Sequence, residues 1–193
     1  MVFEDQHYYY KLYKPYGYLS QFVNNQKRRR NKRLLSEWKN LPQGIMAVGR
    51  LDEKSEGLLL LTTDGKFSDR VRDKTIEKEY HVMVDGVVTK TAINQLQNSV
   101  TISVDGKPYQ TMPCKAHLLD DVSHIKERFV RDPRHGETSW LSITLREGKY
   151  KQVRKMTATV GFPTLRLVRV RIGDFHLGSM EFGELVAINS LQI

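Results

Sequence analysis

The sequence has a single cysteine, Cys114, among 193 residues. One thiol closes no disulfide within the chain and builds no cysteine-based zinc site. The six histidines, His7, His81, His117, His124, His135 and His176, are scattered, without the HExxH spacing of a metal-binding helix. The G-x-x-x-x-G-K loop that cradles nucleotide phosphates is also missing. No metal or other cofactor is therefore expected. No apolar run approaches the roughly 18 residues of a membrane span, and the N-terminal stretch has no apolar signal region. A cytoplasmic protein with no membrane association is expected. Internal repeats and low-complexity linkers are absent as well. Acidic residues are in short supply, 22 against 31 Lys and Arg, which leaves a net charge of +9 and a pI near 9.6. Such an excess attracts polyanions, and the commonest polyanion in a cell is nucleic acid.

What is present suits a folded chain. Hydrophobic residues make up 39%, enough for a core, and charged residues at 27% sit near the globular norm. The length fits one domain, of generous size or split into two lobes. Residues 8–13 read as an aromatic strand, closed by a turn in which Pro15 fixes φ and Gly17 permits positive φ. The most basic stretch, 24–33, has no hydrophobic period and reads as a loop, with a helix at about 33–39. Leu58–Leu61 is a short apolar run ending at Asp64-Gly65, the mark of a buried strand. Helices are predicted at 66–72, at 89–97 with Thr89 or Thr91 as N-cap, and at 149–160. Strands are predicted at 79–84, 100–104, 112–119, 123–130, 140–145 and 164–172, the last with a change of phase between Leu167 and Val168. Strands outnumber helices and do not alternate with them, which indicates an α+β fold with a mainly antiparallel sheet and flanking helices.

Within 47–65, a carboxylate, Asp52, sits in a loop between an apolar stretch and the buried strand. Loops held by rigid elements are where reactive side chains collect. Arg50, two residues away, is suited to lowering the pKa of Asp52 or to binding a phosphate. On these grounds alone an Asp and Gly turn is more often structural than catalytic.

The longer segment is more specific. GRLDEKSEGLLLLTTDG, from Gly49, resembles the catalytic-aspartate motif of the RsuA-type ribosomal RNA pseudouridine synthases. Lys14-Pro15-x-Gly17, Lys78-Glu79-Tyr80, the run from Glu147 to Met156, and Leu167-Val168-Arg169 with Ile172-Gly173 resemble further motifs of that family, in the same order. The resemblance implies a two-lobed pseudouridine synthase fold with the active site in a cleft. It implies isomerisation of a uridine in ribosomal RNA, with large-subunit rRNA as partner. It assigns Asp52 as nucleophile, Tyr80 as the ring that stacks on the target base, and Arg154 as the cation that holds Asp52 ionised. Lys14, Arg50, Lys78, Lys149, Lys151, Gln152, Lys155 and Arg169 are implied as substrate or RNA contacts, and Leu167 as a wall of the uracil pocket. Arg166, Arg171 and the 27–33 cluster are candidates for phosphates. Family members commonly carry an S4-type RNA-binding domain ahead of the catalytic region. With the K-P-x-G turn at Lys14 there is no room for one, so residues 1–193 are expected to form a single catalytic domain of the stand-alone branch, acting as a monomer. Two other readings stay open: an rRNA-binding protein without catalysis, and a glycosidic hydrolase, which would need a second carboxylate as acid, with Glu53 and Glu56 nearest in sequence.

Overall fold

Aromatic and apolar residues at the head of the chain form a strand, β1 (Tyr9–Lys14), and Gly17 turns the chain at φ 86° into a two-residue strand, β2 (Tyr18–Leu19). The computed structural model describes residues 7–23, 32–38 and 41–189. Most of the basic stretch, residues 24–31, lies outside these, as do residues 39 and 40 at the end of the helix expected at 33–39. The described part of that segment is a strand, β3 (Arg33–Leu34), parallel to β2, followed by one 3-10 turn at Leu35–Glu37. No side chain caps that turn, and Trp38 leaves it in an extended conformation, with its indole N–H donating to Gly183 O at 2.7 Å and its ring edge-on to Tyr18. Anchoring of Trp38 outweighs local helix propensity here.

Strands β4 (Met46–Val48) and β5 (Glu56–Thr62) lead into helix α1 (Gly65–Arg72), capped by Asp64, whose carboxylate accepts from Lys66 N–H. Every residue of β5 is buried, as the continuous apolar run predicts. Then follow β6 (Lys78–Asp85), α2 (Lys90–Asn98), β7 (Thr101–Val104), β8 (Lys107–Gln110), β9 (Lys115–Leu118), β10 (Thr138–Leu145), α3 (Gln152–Thr159), β11 (Thr164–Ile172), β12 (Phe175–His176) and β13 (Leu185–Ala187). Thr89 caps α2 by accepting from Ala92 N–H at 3.2 Å. Among the described residues no helix is long and apolar enough to cross a membrane.

The chain divides into two compact units, one of Met1–Ile76 with Ile172–Ile193, the other of Glu77–Arg171. In the first, β1 lies between β13 and β5, antiparallel to both, with Leu12 opposite Leu59, and β4 also pairs with β5. Its core gathers Leu12, Leu58–Leu61, Phe67, Val71, Phe175 and Leu177. In the second, the strand order is β11-β6-β10-β9, with Ile143 opposite Tyr80 on one side and Ala116 on the other. Helices α2 and α3 bring Ala92, Leu96, Val153 and Met156 into a cluster with Val82, Leu141 and Leu167. The architecture is the α+β, mainly antiparallel one read from the sequence.

Several strand assignments change: the strand expected at 112–119 is confined to Lys115–Leu118, and the short β2, β3, β4, β12 and β13 are not expected. Residues 123–130 form no strand. Their backbone groups are satisfied by side chains and turns: Arg166 donates to Lys126 O at 2.7 Å, and Ile125 N–H to Val122 O at 2.8 Å. Strand β8, by contrast, is not expected where Pro108 stands. It forms because Asp105 and Gly106, with φ of 50° and 77°, make the tight two-residue turn that twists a hairpin correctly. β8 pairs with β7 alone, so Pro108 has an open edge to face.

Candidate active site and RNA-contacting surface

The loop that carries Asp52 is held by the preceding turn. Ser20, itself buried, clamps Leu51: its hydroxyl accepts from Leu51 N–H and donates to Leu51 O, both at 2.9 Å. On the other side of Asp52, Gly17 N–H donates to Glu53 O at 2.8 Å. Ser55 N–H then closes a turn onto Asp52 O at 2.9 Å, immediately before β5 begins. The half-buried Asp52 is thus fixed at the backbone on both flanks, with the rigid, fully buried β5 as its base. Arg50 is exposed beside it.

Lys14 is found elsewhere than on an RNA-facing surface. It is 0% exposed, and its ammonium donates to Pro15 O at 2.9 Å and Tyr18 O at 2.8 Å. Its charge organises the K-P-x-G turn from within, and that turn supplies Gly17 and Ser20 to the Asp52 loop. Ser20 carries no recognisable sequence signal, and the reading of the motifs misses it.

In the second unit, β6 alternates its faces. Tyr80 is half-buried and packs against the apolar cluster that holds Leu167, so the structure brings these two predicted residues into one neighbourhood. Lys78 is half-buried at the start of the strand. On the alternate positions Glu79 accepts from Arg171 Nε at 2.9 Å and from Ser142 at 3.0 Å, and His81 lies 2.9 Å from His124, ring nitrogen to ring nitrogen.

The third constellation is the turn into α3. Gln152 is buried; its amide donates to Glu147 Oε2 at 2.8 Å and accepts from Lys149 N–H at 3.0 Å. Glu147, buried too, also accepts from Met112 N–H at 2.8 Å and from the Tyr109 hydroxyl. Gln152 therefore serves the turn, not a ligand in solvent. Arg154 is half-buried on α3 and donates to Thr164 O at 3.4 Å. Lys149 and Lys151 are exposed, and Lys155 donates to Ser103 O at 2.6 Å. Glu147, the first residue of the matching motif, is a hub that the sequence reading leaves without a role.

The cations of β11 are drawn into the fold. Arg166 and Arg169 are buried, and Arg171 is engaged by Glu79 and by Glu77 at 3.1 Å. Burial of Arg166 and Arg169 and the ion pairs of Arg171 set these three apart from the exposed cations of the 149–151 turn. Of the two carboxylates that a hydrolase would draw on, Glu53 is ion-paired with Lys32 and Glu56 is 0% exposed. Among the described residues no group of three or more His, Cys, Asp and Glu is arranged to hold a metal.

Residues 8–159 match the RNA pseudouridylate synthase family. The chain is 41% identical over 173 residues to the ribosomal large subunit pseudouridine synthase E of Xanthomonas axonopodis pv. citri, covering 88% of this chain and 87% of that one. It is 39% identical over 176 residues to the enzyme of the same name from Vibrio parahaemolyticus, covering 89% and 69%. Its structure is similar to a crystal structure of a pseudouridylate synthase, with a TM-score of 0.76 and 26% identity, covering 98% of this chain and 73% of the other.

Proposed function

The chain belongs to the RNA pseudouridylate synthase family, and on that premise we propose that it isomerises a uridine of large-subunit ribosomal RNA to pseudouridine with Asp52 as nucleophile. It is an isomerase: the bond from ribose C1′ to uracil N1 breaks, the base turns, C1′ joins C5, the proton on C5 leaves and N1 takes one up. Atoms are conserved, so neither an oxidant nor a group donor enters. A carboxylate serves this chemistry by covalent addition or by stabilising positive charge at the sugar. Tyr80 is proposed to stack on the base and to accept the final proton through its hydroxyl. Arg154 is proposed to pair with the Asp52 carboxylate and orient it. Leu167, in the same apolar cluster as Tyr80, is proposed to shield the detached uracil from water. Arg50, Lys78, Lys149, Lys151 and Lys155 remain the proposed RNA contacts. The enzyme is proposed to act as a monomer in the cytoplasm, with residues 1–193 as one catalytic domain.

The observation that carries the assignment of Asp52 is the double clamp on its loop by Ser20 and Gly17. Holding a nucleophile in place matters because a displacement of about 1 Å can cost roughly a hundredfold in rate. The test is to incubate the protein with unmodified large-subunit rRNA and map pseudouridine chemically. One new pseudouridine is expected with the wild type and none with Asp52→Asn, whose shape is unchanged. Release of free uracil would instead indicate a hydrolase, and binding without product an rRNA-binding module.

A further inference from the structure

Tyr150 has no part in the reaction just described, yet it stands in a segment, 146–155, with five Lys and Arg and a single acid, Glu147. Its ring is 62% exposed. The Lys151 ammonium lies 4.9 Å from the ring centroid and that of Lys155 5.4 Å. Lys151 adopts φ 51°, a left-handed conformation that residues with a Cβ seldom take. Strain of this kind persists only where surrounding contacts impose it. Next to Lys151 in the chain, Gln152 is tied to the buried Glu147, which also holds Tyr109 and Met112. The turn is therefore a rigid mount for a solvent-exposed aromatic ring attended by two cations.

We propose that Tyr150 is a stacking platform for an unpaired nucleotide of the substrate RNA, with Lys151 passing from its ring to the adjacent phosphate. An exposed cation over an aromatic ring is held more weakly than a nucleobase stacked on it, so a base displaces the Lys151 ammonium, while Lys155 keeps its bond to Ser103 O. A displaced ammonium one side chain away from a stacked nucleotide is placed for its phosphate. Sequence-directed recognition of RNA is made largely on unpaired bases stacked on aromatic side chains. The nucleotide at Tyr150 is not the one isomerised: a ring this open to solvent cannot keep a detached uracil from water.

The inference rests on rRNA being the substrate. The test measures the Kd of wild type, Tyr150→Ala and Tyr150→Phe for an unmodified rRNA transcript carrying the modified site, over a range of salt concentrations. Tyr150→Ala is expected to weaken binding about tenfold or more, and to leave the slope of log Kd against log salt unchanged, because stacking releases no counterions. Tyr150→Phe, which retains the ring, is expected to restore binding to near wild type. Thermal melting controls for folding. An alanine variant that binds within twofold of wild type overturns the proposal, as does a phenylalanine variant as weak as the alanine one, or a loss that tracks a fall in Tm. Failure of the wild type itself to bind rRNA would overturn the functional reading as well, and is distinguished by appearing before any variant is compared.

Discussion

Lys14 shows how one buried charge can serve a site without touching its substrate. Its ammonium fills the inside of the turn and bonds two carbonyls, and the turn in its course holds the Asp52 loop. Lys14→Met keeps the stem and removes the donor, leaving the Pro15 and Tyr18 carbonyls short of a partner in the interior. A loss of at least about 2 kcal/mol of stability is expected, since each unsatisfied buried polar group costs about 1–3 kcal/mol. Urea denaturation with unchanged slope and a lower midpoint is the measurement. A variant as stable as wild type but weak for RNA would instead return Lys14 to the phosphate surface. Sequence shows that a lysine stands at this position but not which way it faces. The same limit explains Arg166 and Arg169: lysines and arginines read as exposed by default, and only long-range packing brings them inside.

At the scale of the element, β6 divides its duties between faces. Tyr80 packs on the apolar cluster while Glu79 and His81 hold a polar network with Arg171, Ser142 and His124. Burial holds His81 below its ordinary pKa; Glu79 opposes this, and His124 and His117 add to it. Burial pushes Glu79 upward, but hydrogen bonds from Arg171, Ser142 and His81 outweigh it and hold the carboxyl below the usual range. Both groups bind fewer protons folded than unfolded, so their contribution is complete at neutral pH and is lost on acidification. Tm is expected to start falling below about pH 6.5, the ordinary histidine value, and to fall further through the carboxylate range near about 4.3. His81→Gln should flatten the first of these declines; a wild-type Tm that is constant from pH 7 to pH 5 would contradict the account. Elements with strong local signals, such as β5 with its apolar run and α2 with its Thr89 cap, are legible in the sequence. Elements decided by distant partners are not, as the 3-10 turn before Trp38 and the strandless 123–130 segment show.

The whole molecule divides its predicted residues between two units, Lys14, Arg50 and Asp52 in one and Tyr80, Arg154 and Leu167 in the other. The order of the motifs made the family legible, while the supporting residues Ser20 and Glu147 were not, because a clamp is defined by what it meets across the fold. The same division gives Cys114 a use. Its thiol donates to Leu96 O at 3.2 Å, between α2 and β9, and burial, with the Glu147 carboxylate, pushes its pKa up to about 11. Little thiolate exists at neutral pH, so iodoacetamide is expected to modify the native protein slowly and the urea-unfolded protein fast, as read by intact mass. Rapid labelling of the native protein would contradict that placement. Since the chain has no other sulfhydryl, the rate at which its single label is acquired reports opening around Cys114, in the second unit. The enzyme thus carries its own stopwatch for local breathing, one that can be read with and without RNA and needs no engineered label.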